Sequence, residues 1–434
     1  MSPASVLFFT CHDLGQHLGC YGQPTVTSPA LDQLAASGVR FARGFCTAPQ
    51  CSPSRASLHT GRYPHSTGVL GLAHAPYGWR LDPRERHVAQ LLAAAGYSTT
   101  LVGMQHLIER GSAYELGYER VLPVAPAFDE ADAAISLLGE LSAADQPFYL
   151  EVGFEEPHRP YDFGGALPDT SRGVAVPAYL PDVPEAREDF AAFQGSIRQM
   201  DTAVGRILHA LDDLDLTEQT CVIFATDHGA AMPRAKCTLY DPGIEIALLW
   251  RWPSAGIAGG AVISDLVSNV DVTPSLLEGL GLPPPPNLHG RSFWNKIAAS
   301  PTTSAYVPRD EIFAEKTFHT YYEPMRAIRT AHHKLIVNFE VSTRVDVPSD
   351  IRESPIYPLM LRQLDDVRPP VELYDLQADQ WEQRNLADAP HVAALQTDLR
   401  QRLLGWMAET DDPLLRGPVA SPYYADALAR LRAD

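Results

Sequence analysis

Two short acidic pairs carry the first chemical signal in this chain. His12-Asp13 closes the apolar run Val6–Thr10, and Asp227-His228 closes the run Cys221–Thr226. In a parallel α/β sheet, ligands bind beyond the carboxyl ends of the strands. Two carboxylate–imidazole pairs far apart in sequence can therefore meet at one sheet edge. There they offer oxygen and nitrogen donors to a divalent cation. Each Asp also precedes a turn and reads equally well as a helix N-cap. For either pair taken alone, ligand and cap stand level.

The third signal is Cys51-Ser52-Pro53-Ser54-Arg55-Ala56-Ser57-Leu58-His59-Thr60-Gly61. Proline suits the first turn of a helix, where its missing N–H costs nothing. Cys51 is thus expected just ahead of a helix N-terminus, where backbone N–H groups and the dipole favour an anion. Arg55, one turn on, can reach back as a bidentate donor. By spacing alone, a buried structural cysteine leads. A thiol phosphatase fits poorly, because the Arg comes only four residues after the Cys.

These residues need a scaffold that presents strand ends together. Strand-then-helix alternation supplies one. Ser28–Ala36, His87–Ala95, Phe128–Leu141 and Phe190–Leu214 have helical patterns. Val6–Thr10, Ser98–Val102, Phe148–Phe154 and Cys221–Thr226 read as buried strands. Proline-rich stretches at Leu167–Pro184 and Pro283–Pro286 punctuate the chain. Beyond residue 310 the texture changes. Met325–Thr330, Lys334–Phe339 and Glu372–Asp375 read as antiparallel strands, and His391–Met407 as a terminal helix. The expected fold is α/β: a large, mostly parallel sheet flanked by helices at 1–309, with a smaller C-terminal antiparallel α+β domain at 310–434.

A net charge of -19 over 434 residues excludes nonspecific binding to nucleic acid or anionic membrane. An anionic substrate would need local positive charge in the site. No run approaches a membrane span. The start, Met1-Ser2-Pro3-Ala4-Ser5, has no basic-then-apolar leader. Six scattered cysteines do not form a disulfide framework, so a reduced, cytoplasmic protein is the expectation. Nothing in the sequence sets an oligomeric state.

Cys51-Ser52-Pro53-Ser54-Arg55, with Thr60-Gly61-Arg62 after it, resembles the C-x-P-x-R signature of the type I sulfatases, in the alkaline phosphatase superfamily. The resemblance extends over Val6–Gly15, Cys51–Gly68, Gly103–His106, Glu155–His158, Phe224–Gly229 and Glu372–Leu386. The branch it most resembles is that of heparan N-sulfatase (N-sulfoglucosamine sulfohydrolase), through Met325–Ile336 and Trp381–Leu386. The resemblance implies that Cys51 is oxidised to formylglycine by a formylglycine-generating enzyme. The hydrated aldehyde would then attack sulfur beside a divalent metal, calcium by family habit. A histidine would protonate the leaving alcohol or amine. It further implies that Asp13, Asp227 and His228 bind the metal and that Arg55 holds the diol. His106 would stand near the diol, His158 would face the substrate, and Lys236 would contact sulfate. The implied substrate is a small-molecule or saccharide anion.

Two positions depart from the family pattern. His12 stands where an Asp is usual, so either it joins the ligands or it points away. A site with two imidazoles would accept manganese, zinc or iron more readily than calcium. Met104 stands where a Lys is usual. Either Arg80, Arg159 or another basic residue substitutes, or the preferred ester is less highly charged. The principal reading is a sulfuric ester or sulfamate hydrolase. The alternative is a phosphodiesterase or phosphonate monoester hydrolase of the same superfamily. A third reading is an inactive anion-binding relative.

Overall fold

The computed structural model describes residues 4–299, 305–341, 345–364 and 367–433; Met1, Ser2 and Pro3 lie outside it. Eight strands form the main sheet. They are β1 (Ser5–Cys11), β2 (Val39–Phe41), β3 (Ser98–Gly103), β4 (Arg120–Leu122), β5 (Phe148–Gly153), β6 (Thr220–Thr226), β7 (Leu248–Arg251) and β8 (Ala261–Ile263). Their order is β4-β3-β5-β1-β6-β7-β2-β8. All neighbours pair in parallel except β7, which runs antiparallel to both β6 and β2. The sheet is therefore mostly parallel, as the strand–helix alternation implies.

The central strands are buried on both faces, which is why they read as continuous apolar runs. Along β1, Leu7 and Phe9 join one hydrophobic cluster, while Val6 and Phe8 join another across the sheet. The first cluster is roofed by α4 (Ala127–Ser142) and α5 (Pro184–Asp213). The second packs under α2 (Cys51–Thr60) and α3 (Val88–Ala94). α1 (Pro29–Ala36) completes the first layer. α5 begins six residues before the expected start at Phe190. Pro184 opens it at a position where a proline is no obstacle. Among the described residues no helix is long and apolar enough to cross a membrane.

A second sheet has the antiparallel order β9 (Glu311–Phe318), β10 (Tyr322–Thr330), β11 (His333–Asn338) and β12 (Val371–Asp375). One face, with Ile312, Met325 and Ile336, packs on Phe45 and Ile244 of the main body. The other, with Phe313, Ile328 and Leu335, packs on α6 (Ala393–Glu409). β9 escapes a hydrophobicity reading because two of its buried residues are charged. Glu315 pairs with His65 at 2.9 Å, and Lys316 pairs with Glu323.

Strand register fixes what lies at the sheet edge. Cys11 of β1 is the partner of Thr226 of β6, so His12-Asp13 and Asp227-His228 leave the sheet side by side. Gly103 of β3 pairs with Gly153 of β5, which pairs with Thr10. The segments carrying His106 and His158 therefore emerge at the same end.

Candidate active site

At that edge the four strand-end residues interlock. His12 Nδ1 lies 3.0 Å from Asp227 Oδ2, and His228 Nε2 lies 3.1 Å from Asp13 Oδ1. Asp227 Oδ1 accepts the backbone N–H of Asp13 at 3.0 Å and of His228 at 2.8 Å. Asp13 has φ 49°, a left-handed backbone that a non-glycine residue adopts only when its surroundings enforce it. Here two strand ends tied together through Asp227 enforce it.

Cys51 is the first residue of α2, with Gln50 as its extended N-cap. Asn269 locks the helix to the body. Its amide donates to Ser54 O at 3.0 Å and accepts the Thr47 N–H at 3.1 Å. The Cys51 sulfur stands 3.4 Å from His228 Nε2. Ligand atoms of His12, Asp13, Cys51 and Asp227 all lie within 4.8 Å of one another, and those of His12, Cys51 and His106 form a second such group. The thiol, the two strand ends and His106 thus meet in one place.

Most of the Arg55 guanidinium is engaged by the strand ends. Its Nε pairs with Asp227 Oδ2 at 3.2 Å and its Nη1 donates to Thr10 Oγ1 at 3.1 Å. Nη2 is buried without a partner among the described residues, which leaves a donor for a ligand. Lys236 Nζ sits between Asp13 Oδ2 and Asp350 Oδ2, at 2.7 Å from each, and 3.3 Å from His158 Nε2. His106, with φ 65°, contacts His74 across 2.6 Å. The place of the usual lysine is taken by the Met104 sulfur, 2.8 Å from His12 Nε2. Neither expected substitute reaches the site. Arg80 pairs with Glu115 at the surface at 2.6 Å, and Arg159 is clamped by Asp189 and stacked over Tyr161.

The charges are mutually dependent. Burial alone would raise the Cys51 thiol, but Lys236, His12 and His228 outweigh it and hold it well below the ordinary thiol range. Burial would depress both strand-end imidazoles. Asp227 instead pushes His12 up to about 9, and Asp227 with Asp13 holds His228 well above its usual range. Against the same burial, His228 and His12 draw Asp227 down to about 2. Burial keeps His106 below the ordinary imidazole range.

The donor set suits a divalent cation. Two carboxylates and two imidazoles converge. Asp13 Oδ1 and His12 Nδ1 are buried without a well-directed hydrogen bond.

His12 and Cys51 open into a cavity of about 460 Å³ that Met104, His106, His158 and Lys236 also line. Among the lining residues not singled out from the sequence are the titratable His74, His319, Asp350 and Glu130. Asp350 belongs to the short helix Ser349–Arg352. Its Pro-Ser-Asp context reads as an ordinary helix start, so no signal marked it as a site residue.

The chain belongs to the sulfatase family. The Sulfatase family model matches residues 6–282, and a model described as "N-sulphoglucosamine sulphohydrolase, C-terminal" matches residues 234–357. That places it among the sulfuric ester hydrolases. It is 29% identical to N-sulphoglucosamine sulphohydrolase of Homo sapiens, across 96% of this chain and 92% of that protein. Among solved structures it shares the fold of a 2-O GAG sulfatase, with TM-score 0.74 and 20% identity over 96% of this chain and 95% of the other. It also shares the fold of the phosphonate monoester hydrolase of Agrobacterium radiobacter, with TM-score 0.70 and 22% identity over 94% and 96%.

Proposed function

We propose that this chain hydrolyses the sulfate ester or sulfamate of a small-molecule or saccharide anion, with a nucleophile built from Cys51. One observation carries the reading: Cys51 and Lys236 line a single cavity, and the buried strand-end carboxylates Asp13 and Asp227 lie directly against them. The family resemblance adds that Cys51 is converted to formylglycine.

Asp13, Asp227 and His228 would hold the metal, with His12 as a fourth donor. A bound divalent ion supplies Lewis-acid charge next to position 51. With two imidazoles in the set, manganese, zinc or iron suits it better than calcium. The protein's own groups do the rest. The free Nη2 of Arg55 and the ammonium of Lys236 give donors to an anion at position 51. Asp350, sharing Lys236, keeps that ammonium charged and aimed. His158, beside Lys236 at the cavity wall, passes a proton to the leaving oxygen or nitrogen. His106, kept neutral by burial, accepts a proton from the nucleophile side.

The test is parallel kinetics on an aryl sulfate, a sulfamate and a phosphodiester. The highest kcat/KM is expected on the sulfate ester or the sulfamate. A clear preference for the phosphodiester would overturn the reading in favour of the phosphodiesterase or phosphonate hydrolase alternative.

A further inference from the structure

The cavity does not end at the sulfate-binding head. It continues between the ends of β3 and β4 and the first turn of α4, lined by Leu101, Ile108, Ala113, Val121 and Glu130. β3 and β4 lie two and three strands from β1. At about 4.8 Å per strand, this arm runs sideways from Cys51 by the length of a small organic group.

Glu130 is the anomaly in it. The residue is 0% exposed, and neither carboxyl oxygen has a hydrogen-bond partner among the described residues. A Cβ built on Gly103 would stand 2.6 Å from Glu130 Oε1. The carboxyl therefore lies directly over the end of β3, where a glycine at φ 84° leaves room for it. Among the described residues the neighbouring charges are all of its own sign. Burial first, then Glu156, Glu155 and Asp129, push Glu130 up to about 10. Glu156 Oε1 accepts from Ala127 N at 3.0 Å and from Gln199 Nε2 at 2.9 Å, so those donors are taken and do not serve Glu130. A buried polar group without a partner is costly. An apolar pocket with one unsatisfied polar group at its wall has the make-up of a ligand subsite.

We propose that this arm receives the leaving-group portion of the substrate and that Glu130 recognises a hydrogen-bond donor on it, an ammonium in preference to a hydroxyl. The inference rests on the sulfatase reading of the same cavity. An ammonium entering the arm supplies the missing cation and turns the neutral acid into a charge-assisted acceptor. A hydroxyl meets only the hydrogen-bonding need. Glu130 is thus a specificity residue at a distance from the sulfur.

The experiment compares three aryl sulfates that differ only in a para chain ending in an amine, a hydroxyl or a methyl group. They are assayed with the wild type, Glu130→Gln and Glu130→Leu. In the wild type, kcat/KM for the amine is expected to exceed that for the methyl compound by about tenfold or more. Glu130→Leu removes the preference, and Glu130→Gln keeps only that for the hydroxyl. The leucine variant removes a buried unpaired acid, so it is expected to fold. Equal kcat/KM for all three compounds in the wild type overturns the inference, as does a preference that survives Glu130→Leu. If the wild type releases sulfate from none of them, the sulfatase reading fails separately. The arm is then judged by calorimetry with the sulfate-free arylalkylammonium. Tighter binding to the wild type than to Glu130→Leu upholds it, and equal binding, an arm that holds water only, overturns it.

Discussion

The Cys51 sulfur lies 3.4 Å from an imidazole that also faces Asp13, and its side chain is almost wholly buried. Cys51→Ala removes the nucleophile and little else. Turnover is expected to vanish, while stability measured by denaturant titration changes by no more than about 1 kcal/mol. Lys236 is different, because two carboxylates depend on it. Lys236→Met leaves Asp13 and Asp350 facing each other and takes an ammonium from the anion site. kcat/KM on an aryl sulfate is expected to fall by about a hundredfold or more, with KM rising. The strand-end places of Asp13 and Asp227 were legible from strong apolar runs, but by spacing alone each also read as a helix cap and Cys51 as a structural cysteine, so their roles came from the family resemblance. The roles of His106, His158 and Lys236 came from the family resemblance, since a lone His or Lys carries no pattern. Asp350, His74 and Glu130 were not legible, because only the folded chain brings their segments to the cavity.

At the level of elements, the site depends on how closely the strand ends approach. Gly103 closes β3 at φ 84°, and a side chain there would run into Gly153 O and Glu130. Gly103→Ala is expected to cost about 1–3 kcal/mol in thermal unfolding and to lower kcat by displacing the Met104–His106 segment. Asn269 ties α2 to the Thr47 segment from a residue far along the chain. Asn269→Ala strands the buried Thr47 N–H and removes the donor to Ser54, and is expected to cost about 1–3 kcal/mol. The parallel strands were readable as uninterrupted apolar runs. β9 and β7 were not. β9 hides charged residues that find partners across the sheet, and the antiparallel direction of β7 is a property of topology rather than of its four residues.

For the whole molecule, the question is what holds the second sheet to the first. Lys334 and Arg329 of the antiparallel sheet grip Asp241 of the main body at 2.6 and 2.8 Å. Burial opposes ionisation of Asp241, but Lys334 and Arg329 outweigh it and hold the carboxyl well below its ordinary range. A carboxylate so depressed contributes stability that is complete above the unfolded Asp pKa of about 3.9. That contribution is lost as pH falls below this value towards the folded one. The thermal midpoint is therefore expected to drop as pH falls below about 4, and to keep dropping towards the depressed folded value. In Asp241→Asn the drop should be shallower from a lower starting midpoint, as read by a thermal scan at each pH. The split into a catalytic domain at 1–309 and a second at 310–434 is a proposal about folding units. The Asp350 contact with Lys236 shows that the later part of the chain also furnishes the site. Chelation should abolish activity, and titration with manganese, zinc or calcium should restore it for one ion at about one per chain.

The most direct test is the mass of the tryptic peptide containing Cys51, taken from enzyme that is actively releasing sulfate. The account predicts a peptide in which the –CH2SH side chain has become an aldehyde, in a fraction that tracks specific activity across preparations. Full activity from a sample whose residue 51 is an intact thiol throughout would contradict it.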